Sequence, residues 1–292
     1  MSPKAKGQLE FELPLRPEPD RNRHLGGRSF YFFDFDDNIA MLATPIVLFE
    51  KGTGHALKIS SGSFAQEQAR IGKSGLYENY EIDWDHQTGS FKYFRDHHED
   101  ELHRLGMKQQ VFIEDVAHAL GLDDFQWKGP SWTCFSHATF NQRPISIITA
   151  RGHSPSTIQQ GINVFVQQGL LPLYPNYLGI YPVNHPETRQ KLGDAALVMS
   201  VAELKKKAIR ASVERAIDVY GYSDHHRFGM SDDDPKNLQL ILDEMRDLKK
   251  DYPRMSFHVI DTAHGRFVKH EVLLTSDQES KVAEDKVQFS LF

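Results

Sequence analysis

Residues 29–41 read "SFYFFDFDDNIAM", and the fold turns on how so bulky an apolar run ends. Phe30, Tyr31, Phe32 and Phe33 make the continuous apolar stretch of a strand buried on both faces. Asp34, Asp36 and Asp37 follow at once. Carboxylates this close repel one another, and taking them out of water is costly unless a cation compensates. A bound metal ion is the simplest such cation.

Working outward, residues 41–65 hold two apolar runs joined by the Gly-containing turn "KGTG", which predicts a pair of strands. From 66 to 140 the chain is irregular, aromatic and His-rich, with one predicted helix over 98–120. That region reads as an insertion. Order returns at "RPISIITARG" (143–152), a strand, and Ser154-Pro155 opens a helix that Gly169 stops. The run "YLGIYPV" is a third strand, and Ser200 with Glu203 forms a capping-box pair for the helix that follows. Strand "HRFGMS" runs into "DDDPKN", where Asp234-Pro235 starts another helix, and "SFHVIDT" is the fifth strand.

Strands alternating with helices predict an α/β fold, a doubly wound parallel sheet with helices on both faces. In such sheets ligands bind beyond the carboxyl ends of the strands. Those ends carry Asp34 to Asn38, Thr149 to Gly152, and Ser231 to Asp234. Residues 1–27, Pro-, Arg- and Gly-rich with one strand-like run "LEFELPL", read as a mobile lead-in, and residues 276–292 as a charged, loosely held tail. The core then spans 28–275, with the insertion at about 41–140.

The chain has 292 residues, 39% apolar and 25% charged, enough for a sizeable core. Its formal net charge of −6 argues against a general nucleic-acid binder. Cys134 is the only cysteine, so neither a disulfide framework nor a CxxC metal site is available. No apolar run is long enough to span a bilayer, and the first residues lack the apolar core of a signal peptide. A cytoplasmic protein with no membrane partner is the expectation.

Clustered carboxylates with a hydroxyl and a lysine suit phosphoryl transfer. Mg²⁺ prefers carboxylate oxygens plus waters and substrate phosphate, and a lysine helps offset the charge as a phosphoryl group approaches an aspartate. Asp34 could act as nucleophile, and Asp36 lies close enough to donate a proton and later activate water. Composition alone does not separate these two roles.

At this point the chain resembles a known family. "FFDFDDNI" is similar to the first signature of the haloacid dehalogenase-like superfamily, "ISIITARG" to the second, "ELKKKAIRA" supplies a lysine for the third, and "FGMSDDDPKNL" resembles the fourth. The resemblance covers roughly 28–265, and it implies that superfamily's Rossmann-like core with a cap inserted between the first and second motifs. It further implies Asp34 as nucleophile, Asp36 as general acid/base and metal ligand through its carbonyl, and Thr149 holding the transferring phosphoryl group. One of Lys205, Lys206 and Lys207 would neutralise charge, with Lys206 favoured because it precedes Ile209 by three residues. Asp232 and Asp233 would join Asp34 and Asp36 around Mg²⁺, Asp233 first. Asn38 stands where the family has Thr or Val, and Ser231-Asp232 replaces the usual Gly. The second Asp, at 36, points to the phosphatase branch.

Arg151, just past Thr149, is a candidate for binding a second phosphate or a carboxylate, and Asn38 a second substrate contact. The expected activity is Mg²⁺-dependent hydrolysis of a phosphorylated small molecule, with the insertion's aromatics and cations setting substrate choice. Two alternatives remain. One is a phosphate-binding protein without turnover. The other is a Mn²⁺-dependent phosphodiesterase built on His97, His98 and His103 or on Asp224, His225 and His226.

Overall fold

A computed structural model describes residues 16–85, 87–274 and, as backbone alone, 280–285. The chain begins with β1 (Ser29–Phe33) and then enters the insertion: β2 (Ile46–Glu50), β3 (Ala56–Ile59), α1 (Ser61–Glu67), β4 (Tyr80–Glu81), α2 (Glu99–Arg104), α3 (Val111–Ala119), α4 (Asp124–Trp127) and α5 (Trp132–Phe140). It resumes with β5 (Pro144–Thr149), α6 (Pro155–Gln167), β6 (Asn176–Pro182), α7 (Pro186–Lys191) and α8 (Val201–Tyr220). The last elements are β7 (Arg227–Asp232), α9 (Pro235–Asp251), β8 (Ser256–Asp261), β9 (Val268–Leu274) and β10 (Ser280–Asp285).

The large sheet runs β10-β9-β8-β7-β1-β5-β6. Strands β8, β7, β1, β5 and β6 are parallel, and β9 and β10 are antiparallel additions at one edge. This is a Rossmann-like α/β sheet. Alternation along β1 splits its rings between the two faces. Phe30 and Phe32 join Phe228, Met230, Leu204, Val213 and Met245 under α8 and α9. Phe33 joins Phe112, Trp127, Phe135, Ile158 and Phe165 under α3, α5 and α6. Gly161 permits the close approach of α3 to α6, since a Cβ there would lie 2.3 Å from the Phe112 ring.

Chain order reverses at β1: β5 and β6 extend to one side of it, β7 and β8 to the other. Loops at such a reversal diverge and leave a crevice at the carboxyl ends. The parallel register sets Phe33 beside Ser231, and the Asp34 amide donates to the Ser231 carbonyl at 3.0 Å. Thus Asp34 and Asp232 leave adjacent strands together.

Several boundaries differ from the sequence reading. The helix expected over 98–120 is two helices, α2 and α3, separated at Gly106, whose φ of +68° ends the first. The sequence pattern does not predict β9, and β10 lies within what reads as a loose tail. "LEFELPL" lies outside the described residues, whereas Glu18 and Asp20 of the lead-in are anchored. Arg143 donates to the Glu18 carbonyl at 2.7 Å and pairs with Asp20 at 2.9 Å. In the insertion β2, β3 and β4 form a second sheet, and Ile46, Leu48, Ile59 and Ile71 with Phe64, Phe91 and Phe94 make a small core of its own.

Asn38 is a structural hub rather than a substrate contact. It is fully buried and saturated: its Nδ2 donates to the carbonyls of Asp34 (2.9 Å) and Ser231 (3.2 Å) and to Ser231 Oγ (2.9 Å). Its Oδ1 accepts from Ser131 Oγ (2.7 Å) and Thr262 Oγ1 (2.8 Å). One side chain thereby joins the ends of β1, β7 and β8 to α5. Asn38→Ala leaves buried hydroxyls without partners, at about 1–3 kcal/mol each. We expect a loss of about 3 kcal/mol in denaturant unfolding, and a wild-type midpoint for the variant would contradict the hub.

Candidate functional site

Lys205 stands at the centre of the acidic cluster. Its Nζ lies 2.6 Å from Asp232 Oδ2 and 3.2 Å from Asp34 Oδ2, with its side chain 2% exposed. Asp232 is buried and its Oδ1 accepts from the Asp234 amide and from Asn237 Nδ2, which fixes its plane. Asp34 Oδ1 is buried without a hydrogen-bond partner. Carboxylate oxygens of Asp34, Asp232 and Asp233 lie within 4.8 Å of one another. Three carboxylates face one ammonium, and their oxygens could hold a second cation. All the donors are hard oxygens, the set that Mg²⁺ takes.

The electrostatics agree. Burial is the largest influence on Asp34 and raises its pKa well above the usual carboxylate range; Lys205 opposes this, and Asp232, Asp233 and Asp36 add to it. Asp233 is pushed up to about 7, by burial first and then by Asp232 and Asp37. Burial works against the Lys205 charge, but Asp232 and Asp34 outweigh it and its pKa is raised. Asp37 sits alongside with its own carboxyl raised by burial and by Asp36, and Ser61 at the start of α1 hydrogen-bonds it. The φ of Asp37 is +55°, a left-handed conformation that turns the chain as it leaves β1.

Lys206, the favoured lysine of the sequence reading, belongs elsewhere. Its Nζ reaches Glu244 at 3.6 Å on the outer side of α8. The correction is one of helical phase. Lys205 shares the buried stripe of Leu204, Ala208, Ile209 and Ser212, and Lys206 is rotated out of it. Spacing from both Ala208 and Ile209, rather than from Ile209 alone, selects Lys205.

Asp36 is not with the other three carboxylates. Arg151 holds it, with Nε at 3.1 and 2.9 Å from its two oxygens and Nη2 at 2.6 Å from Oδ1. Arg151 is fully buried and committed to this pair, so it does not stand open to a substrate anion as expected, although its Nη1 lacks a partner. Thr149, at the end of β5, is buried beside them, its hydroxyl 3.5 Å from Asp36 Oδ2 and accepting from the Arg151 amide. The expected residues Asp34, Asp36, Thr149, Asp232 and Asp233 therefore reach one end of the sheet, but in two subsets.

The histidine clusters of the sequence form no metal-holding group among the described residues. Among the described residues the only group of three or more His, Cys, Asp or Glu placed to hold an ion is that of Asp34, Asp232 and Asp233. His226 accepts from the Arg28 amide at Nδ1 and meets the Gly221 carbonyl at Nε2, so both ring nitrogens are used. Trp127 and Trp132 are buried in the main core, away from any substrate role. Burial pushes the Cys134 thiol up to about 12, leaving it inert at neutral pH. No helix among the described residues is long and apolar enough to cross a membrane.

No protein-family model matches the chain, and no curated protein and no solved structure matches it.

The raised Asp233 carboxyl predicts a pH dependence of stability without added cation. The native state keeps this proton up to about pH 7, whereas the ordinary carboxyl releases it near 3.8. Between these values the native state binds more protons than the unfolded chain, so stability falls as pH rises. Thermal melts in EDTA through this window should fall with pH more steeply for wild type than for Asp233→Asn, and Mg²⁺ should flatten the wild-type slope. Equal slopes for the two proteins would contradict the assignment.

Proposed function

We propose that this chain is a Mg²⁺-dependent phosphomonoester hydrolase that works through an aspartyl phosphate on Asp34, on a core of the haloacid dehalogenase type with the insertion as its cap. The observation that carries this reading is the Lys205 ammonium shared by Asp34 and Asp232, next to an Asp34 oxygen with no partner of its own. Four sequence stretches similar to that superfamily's motifs support it, since residues of all four, Asp34, Thr149, Lys205 and Asp232, lie at this end of the sheet. Asp34, Asp232 and Asp233 would hold the metal, which when bound supplies positive charge to the phosphoryl oxygens.

The chain's own residues do the rest. An Asp34 carboxylate oxygen bonds to phosphorus as the bond from phosphorus to the leaving oxygen breaks, and Asp36 delivers a proton to that oxygen. Water then attacks the aspartyl phosphate, Asp36 takes its proton, and the Asp34 carboxylate is regenerated with release of inorganic phosphate. Lys205 keeps Asp34 oriented and offsets charge as two anions approach. Thr149 would hold the transferring phosphoryl group, as the resemblance implies. The substrate class is a phosphorylated small molecule, in a cytoplasmic setting. The bidentate Arg151–Asp36 pair is the observation favouring a second reading, phosphate binding without turnover.

Phosphate release from a panel of phosphorylated metabolites decides between them. Release should require Mg²⁺ and stop in EDTA. Asp34→Asn should lower kcat by about 10⁴ and Lys205→Met by about 10² to 10³. Lys206→Met should stay within about twofold, because Lys206 pairs with Glu244 and touches none of the clustered carboxylates. Phosphate binding with no release across the panel decides for the second reading, and loss of activity in Lys206→Met but not Lys205→Met would overturn the site geometry.

A further inference from the structure

We propose that Arg151 is a positioning residue for Asp36, and that the insertion holds Arg151 in place so that Asp36 is aligned only while the insertion is seated on the sheet; this rests on the phosphatase reading. Contacts from three directions fix the guanidinium. Its fork grips both Asp36 oxygens, which sets the plane of the carboxylate. Its faces are covered by Phe94 at 4.8 Å and Phe112 at 4.7 Å. Its Nη2 also donates to Thr44 Oγ1 at 2.8 Å, and that hydroxyl donates to Asp115 Oδ2 at 2.5 Å.

Every residue on the far side of Arg151 belongs to the insertion: Thr44 before β2, Phe94 after β4, and Phe112 and Asp115 on α3. Arg151 itself follows β5. The Gly152 amide donates to the Phe94 carbonyl at 2.7 Å, and Arg95 bridges to Gly152, so the backbone of the insertion is fastened at the same point. A buried ion pair is weak support for a fold, because apolar packing can replace it. This pair, however, is lopsided. The arginine side chain is fully buried while that of Asp36 is 23% exposed, turned outward from the end of β1. Such an arrangement orients a working carboxylate from behind.

Lysine retains the charge but neither the fork nor the flat face. The test compares wild type with Arg151→Met, Arg151→Lys and Thr44→Val, as the whole chain, using p-nitrophenyl phosphate. An aryl leaving group departs without a proton, so Asp34 is phosphorylated even when Asp36 is misaligned, whereas hydrolysis of the aspartyl phosphate still needs Asp36 to take a proton from water. Arg151→Met should therefore release a burst of close to one equivalent of p-nitrophenolate and then turn over about 100-fold more slowly than wild type, with the slow phase rather than the burst carrying the loss. Arg151→Lys should lie between. Thr44→Val, nearly isosteric, should show the same pattern at about tenfold and covers an Arg151→Met protein that fails to fold.

Wild-type turnover in both Arg151→Met and Thr44→Val overturns the proposal and leaves the phosphatase reading intact. So does a fall in rate without a burst, or a raised KM at unchanged kcat, either of which makes Arg151 structural or substrate-binding. A wild-type chain with no turnover removes the phosphatase reading and this proposal with it, an outcome visible before any variant is made.

Discussion

A single buried ammonium between two buried carboxylates holds the working end of this sheet together. Asp34 and Asp232 leave neighbouring parallel strands, and the β1–β7 register leaves them no way to avoid each other. Lys205 reaches both from near the N-terminal end of the crossover helix α8. Removing one member of such a group strands the others in low dielectric, at a cost of about 3–5 kcal/mol. One positive charge nevertheless faces Asp34, Asp232 and Asp233, and burial first, then Asp232 and Asp37, raise the Asp233 carboxyl.

Around this centre the polar network is divided by what it serves. Asn38 is saturated by five partners from four segments and fixes the loop beyond β1. Arg151 ties Asp36 to the insertion. The seam where the insertion meets the sheet is less complete. Arg95 Nε, Asp96 Oδ1, Arg151 Nη1 and both ring nitrogens of His153 are buried there without partners. Burial, and then Arg151, hold the His153 imidazole well below its usual pKa, so it stays neutral. Unsatisfied groups weaken a contact, and the Gly152–Phe94 hydrogen bond and the Arg151–Thr44 contact offset them at this seam.

The α/β class and the strand-end carboxylates were legible because they depend on local pattern. Apolar strands ending in acid, Ser154-Pro155 and Asp234-Pro235 helix starts, and the Ser200–Glu203 capping box all sit within a few residues. The choice between Lys205 and Lys206 was also readable in principle from the full buried stripe of α8, as was the break at Gly106. Strand β9 carries Lys269, His270 and Glu271, and its charge masks a strand that lies between β8 and β10. The partners of Asp36 and Asn38 had no local signal. Arg151 is 115 residues from Asp36, and Thr262 is 224 from Asn38, so only tertiary structure joins them.

The central claim is that Asp34 carries the phosphoryl group. Acid quench during turnover of a phosphomonoester in Mg²⁺, followed by borohydride reduction of any acyl phosphate and peptide mass spectrometry, reads the modified residue directly. The account predicts that the mark falls on Asp34 and is absent when Mg²⁺ is omitted. A mark on Asp36 or on a histidine, or steady turnover with Asp34 unmodified, would contradict it.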